Sequence, residues 1–67
     1  MRPAERHAQD LAGRLGRALR EARLRVGMRQ EDAARRAGLS QSTWSYLESA
    51  HDARYTLATW DRAAHAV

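Results

Sequence analysis

The chain has 67 residues, no cysteine and a formal charge of +4, and all twelve of its basic residues are arginine. A chain this short makes one small domain that buries only about 60% of its unfolded surface, and without cysteine it forms neither disulfides nor thiolate metal sites. No apolar run approaches the ~20 residues of a membrane span, and Met1 to His7 lacks the core of a signal peptide, so a soluble, cytoplasmic protein is expected.

The first helix is predicted over about 10–26. Pro3 suits a first helical turn and opens an earlier start, so residues 1–9 form either an arm or an extension of this helix. Leu11, Leu15, Ala18, Leu19, Ala22 and Val26 recur at helical spacing and predict a single core stripe. Gly13 and Gly16 each weaken the segment by up to ~1 kcal/mol against alanine, which predicts fraying of its amino-terminal half. Gly27 ends it. Three later helices, over 30–37, 41–49 and 56–66, share one starting device. Their N-caps are Arg29, Ser40 and Thr56, bracketed by the apolar pairs Met28–Ala33, Leu39–Trp44 and Tyr55–Trp60 at hydrophobic-staple spacing. Ser40 and Thr56 are good caps, whereas Arg29 has no acceptor and leaves Asp32 to reach back to its backbone N–H. The stretch 50–55 is the one substantial loop, and no strand pattern, repeat or low-complexity linker occurs. The fold class is therefore all-α, one domain over 1–67.

Residues 30–49 carry most of the functional information. Ala34 is small where two helix axes cross, and Gly38 stands where the first of two short helices stops and the chain needs a positive φ. Ala33, Ala37, Leu39, Trp44 and Leu47 supply apolar contacts inside the bend. A helix-turn-helix has these features, and the second helix of such a unit enters the DNA major groove. From Leu15 to Val67 the chain resembles the lambda-repressor-like (Cro-type, XRE) helix-turn-helix family. The matching residues are Leu15-Gly16, Leu19-Arg20, Arg23, Gly27, Gln30, Ala34, Gly38-Leu39-Ser40, Ser42-Thr43, Ser45, Leu47-Glu48, Thr56-Leu57 and an alanine-rich closing helix.

The resemblance implies a compact domain of four helices, or five if another follows, that binds double-stranded DNA. It places Gln41, Ser42, Tyr46 and Ser45 on base edges; a glutamine amide offers the donor–acceptor pair that adenine N7 and N6 require. Gln30 would hold the DNA backbone from the amino end of the second helix, aided by hydroxyls of Ser40 and Thr43 and by ion pairs from Arg29 and Arg54. Arg23 and Glu48 would form a mostly buried ion pair of architectural importance. Ala33 replaces a frequent leucine, Ala50 a frequent glycine and Arg29 the usual serine or threonine. The chain ends at Val67, where relatives often add a fifth helix or a subunit-joining segment.

No cofactor or metal is expected, because His7, His51 and His65 lack ligand spacing. Trp44 and Trp60 read as core filling and as candidates to pack on each other. Without a nucleophile turn, phosphate-cradling loop or paired carboxylates, no enzyme is expected. The reading is a sequence-specific transcriptional regulator, a repressor, that binds a double-stranded operator as a homodimer or as part of a larger protein. The rival is an antitoxin-like or adaptor module that keeps the fold and binds a protein partner. A targeting domain cut from a DNA-acting enzyme is the third reading.

Overall fold

A computed structural model describes residues 3–50 and 55–67, and within them four helices follow one another with no strand. They are α1 (Pro3–Arg25), α2 (Gln30–Ala37), α3 (Gln41–Glu48) and α4 (Leu57–Ala66). α1 takes the early start that Pro3 permits and runs through Gly13 and Gly16 without a break. α3 packs against both α1 and α2, and α4 packs against α2.

The turn between α2 and α3 is built as its sequence predicts. Gly38 adopts φ 72°, and the chain closes with Gly38 N–H donating to the Arg35 carbonyl at 3.1 Å and Leu39 N–H to that of Ala34 at 2.8 Å. Those two bonds satisfy carbonyls that the end of a helix leaves free. A further cap comes from α4. The Arg62 guanidinium donates to the carbonyls of Gly38 at 2.7 Å and Ala37 at 3.2 Å, placing a cation at the negative end of the α2 dipole. Ser40 caps α3 by accepting from Thr43 N–H at 3.1 Å. Thr56 makes no such side-chain bond to α4, and Arg29 makes none to α2. α3 ends on Ser49 at φ −109°, without a left-handed residue, and Ala50 is buried where a glycine was the expected stop.

The core centres on Trp44 and Leu47 of α3, both fully buried against Ala33, Ala34 and Ala37 of α2, Leu19 of α1 and Ala63 and Ala66 of α4. α2 contributes only alanines to the core, and Trp44 of α3 is the bulkiest of its fully buried side chains. The three staple residues Met28, Leu39 and Tyr55 pack at the margin of this cluster. The α1 stripe needs correction. Its buried line is Ala12, Gly16, Leu19 and Arg23, while Leu11, Ala18 and Val26 are exposed and Leu15 and Ala22 half-buried. Gly16 is the reason α1 and α3 can approach. A Cβ there would overlap the Leu47 carbonyl oxygen and lie 2.9 Å from that of Glu48. Among the described residues the two tryptophan rings form no aromatic pair; Trp44 is central, whereas Trp60 packs at the margin of the same cluster, between α1 and α4.

Candidate nucleic-acid interface

One buried cluster fixes the orientation of α3. The Arg23 guanidinium lies against the Glu48 carboxylate, with Nε to Oε2 at 2.5 Å and Nη2 to Oε1 at 3.1 Å. Its remaining arm donates to the Met28 carbonyl at 2.8 Å. Glu48 also accepts from the Trp44 indole N–H at 2.5 Å and from the Gln30 amide at 3.1 Å. Burial alone would raise the Glu48 pKa, but the hydrogen bonds from Arg23, Trp44 and Gln30 outweigh it and hold the carboxyl below the ordinary glutamate range. The Arg23 pKa is raised, first by its hydrogen bond to Glu48 and against its own desolvation. This cluster joins α1, the start of α2 and the end of α3, and among the described residues no buried side-chain polar atom lacks a partner.

Held in this way, α3 presents Gln41, Ser42 and Ser45 to solvent. This face is polar, uncharged and near the helix start; α3 has no acidic residue in its first turn and no basic residue in its last. Tyr46 belongs to it only in part. Its half-buried ring meets Tyr55 edge to face, with centroids 5.2 Å apart, so the loop leading into α4 buttresses it.

The residues expected on phosphates are less uniform. Gln30 is half-buried and gives one of its two amide hydrogens to Glu48, leaving the second for an external acceptor. Ser40 is committed to its cap and donates to the Thr43 hydroxyl at 2.8 Å, so those two hydroxyls act together. Arg29 is exposed and folds onto its own helix, 3.0 Å from Asp32 and 3.2 Å from Glu31. That hydrogen bond holds Asp32 below the usual carboxylate pKa. Arg35 reaches the same Asp32 at 3.8 Å. Arg54 and His51 lie outside the described residues.

Two features of this site were not read from the sequence. The Trp44 indole is an anchor for Glu48 as well as core filling, and the i, i+4 spacing of the two residues is a signal that could have revealed it. Arg62 steadies the turn from a separate helix, and no local pattern announces that contact. Among the described residues no cluster of three or more His, Cys, Asp or Glu side chains could hold a metal ion, and no helix is long and apolar enough to cross a membrane.

A family model described as a helix-turn-helix domain matches residues 14–67, from the middle of α1 through the whole of α4. No curated protein and no solved structure was found to match the chain.

Proposed function

The chain belongs to the helix-turn-helix domain family, and from that premise we propose that it is a sequence-specific regulator of transcription, a repressor of the lambda-repressor-like type. Membership of the family points to DNA binding; the sequence preference and the regulatory role are our reading. The observation that carries it is the exposed, uncharged polar face Gln41-Ser42-Ser45 at the start of a helix whose far end is pinned by Glu48. Neutral donors and acceptors on a rigid helix are what base edges require, because phosphates alone carry no sequence information.

In this proposal α3 enters the major groove with Gln41 and Ser42 on bases, Ser45 and Tyr46 one turn further along. The free amide hydrogen of Gln30 meets a phosphate at the start of α2, with the Ser40–Thr43 hydroxyl pair, Arg29 and Arg54 on the flanks. For Arg29 this requires exchange of Asp32 for phosphate. It acts as a cytoplasmic, non-enzymatic binding module that recognises an operator as two copies about one DNA turn apart, or as one part of a larger protein.

Duplex binding measured over a series of salt concentrations tests the reading, since each neutralised phosphate contributes about −0.9 to the slope of log affinity against log salt. A clear negative slope, with Gln41→Ala losing discrimination between sequences and Arg54→Ala losing affinity for all of them, is expected. A flat slope, or a Gln41→Ala variant that discriminates as the parent does, overturns it. The rival reading, an antitoxin-like or adaptor module binding a protein, is favoured by one observation: an apolar groove between α1 and α4.

A further inference from the structure

Among the described residues, the apolar ridge of α1 that lies outside the core is covered only in part, by α4. Leu11 is 46% exposed and Val26 56%. Between them Leu15, Ala18 and Ala22 form one wall of a groove of about 230 Å³, and Trp60, Ala64 and Val67 form the other. We propose that this face pairs with the same face of a second copy of the chain, the two α1 helices lying antiparallel about a two-fold axis beside Ala18.

Charge selects both the occupant and the direction. Asp10, Arg14, Glu21 and Arg25 follow one another at helical spacing along the flank of the ridge that lies away from α4. They are placed symmetrically about the midpoint between Arg17 and Ala18, and each has its opposite sign at the mirrored position. Reversing one helix against the other sets Arg14 beside Glu21 of the second copy and Asp10 beside Arg25, each pair occurring twice by symmetry. A parallel arrangement would set every one of them against its own charge. Arg17, nearest the midpoint, lies further round the helix from the ridge. Among the described residues none of the four makes an ion pair within the chain, whereas exposed charges on α2 and α4 do: Arg29 with Asp32, Arg35 with Asp32, His65 with Asp61. All four are exposed and available.

Shape agrees with charge. Ala18 and Ala22 let two helix axes come close, and antiparallel pairing lays each Leu15 over an Ala22, large on small. A standard interface takes ~800 Å² from each partner, about a sixth of this chain's 4732 Å², so the ridge and the Trp60 wall of the groove are both needed. The inference does not rest on DNA binding, and its test contains no DNA, so either can fail without the other.

Sedimentation velocity of the 67-residue chain at low salt, up to ~200 μM, reads the outcome. A reversible dimer is expected. Arg14→Glu turns two attractions into two repulsions and should weaken it about tenfold. Adding Glu21→Arg in the same chain should restore it to within about threefold, because the opposed pairs are then rebuilt with signs exchanged. Ala18→Glu, at an exposed position that leaves the fold intact by circular dichroism, should abolish the dimer. A monomer at every concentration overturns the proposal. So does a dimer indifferent to Arg14→Glu and Ala18→Glu, or one that the double reversal fails to restore.

Discussion

Replacing Glu48 with glutamine tests how α3 is held. The carboxylate accepts four hydrogen bonds, two from Arg23 and one each from Trp44 and Gln30. The Arg23 side chain is only 10% exposed and has no other carboxylate partner among the described residues. Glu48→Gln removes the negative charge, leaves that guanidinium buried and uncompensated, and turns one accepting oxygen into a donor facing donors. Breaking one side of a buried pair costs about 3–5 kcal/mol. A domain of this size has ~3–10 kcal/mol in all, so the variant should lose at least about 12 °C of melting temperature or be unfolded at room temperature. Thermal and urea unfolding followed by circular dichroism give the number. The paired change Arg23→Met with Glu48→Leu separates charge from packing. It removes both ions and leaves the Trp44 indole N–H and the Met28 carbonyl unpaired, about 1–3 kcal/mol each, so its loss should be comparable to that of Glu48→Gln. A Glu48→Gln variant within about 1 kcal/mol of the parent would mean that the Arg23 guanidinium is not left uncompensated.

Acid should destabilise the domain from below about pH 4.3, the unperturbed glutamate value. Glu48 has a depressed pKa in the folded chain; its contribution is complete above the unfolded pKa and disappears as pH falls through the folded one. Asp32 shifts in the same direction but is exposed enough to add little. Stability measured against pH should be flat between neutrality and about pH 5, with a shallower acid decline in Glu48→Gln. Gly16→Ala should destabilise by about 1–3 kcal/mol because its Cβ meets the Leu47 carbonyl, although helix propensity alone predicts a gain of up to ~1 kcal/mol; the sign of the change in urea midpoint decides. Arg62→Ala should cost ~1–2 kcal/mol through the lost bonds to Ala37 and Gly38, with amide exchange quickening first at the α2 end of the turn.

Local signals carried the helix-turn-helix. A positive-φ glycine, a serine cap and staple pairs act within a few residues, so the bounds of α2 and α3 could be read from the sequence, and so could the exposed Gln41-Ser42-Ser45 face. Contacts between helices were less legible. Periodicity selected the ridge Leu11–Leu15–Ala18–Leu19–Ala22–Val26 because it is the more apolar one, and of these only Leu19 is buried. The buried ridge is Ala12, Gly16, Leu19 and Arg23, two small residues, one leucine and a charge, which hydrophobicity cannot rank as core. Arg23 became recognisable only with Glu48 as its partner, by resemblance to a family. Gly16 read as a weakness because the carbonyl it admits comes from α3, 31 residues further on at Leu47. Tyr46 looked wholly outward because the Tyr55 ring against it arrives from beyond the following loop.

The most direct test of the central claim, that the outer face of α3 reads DNA bases, is selection of bound sequences from a random duplex pool by the 67-residue chain at moderate salt. Enrichment of a defined sequence is expected, an inverted repeat if two copies bind together and a single half-site if one does, with Gln41→Ala relaxing the preference at one base step. A folded sample that enriches no sequence at any salt concentration would contradict it.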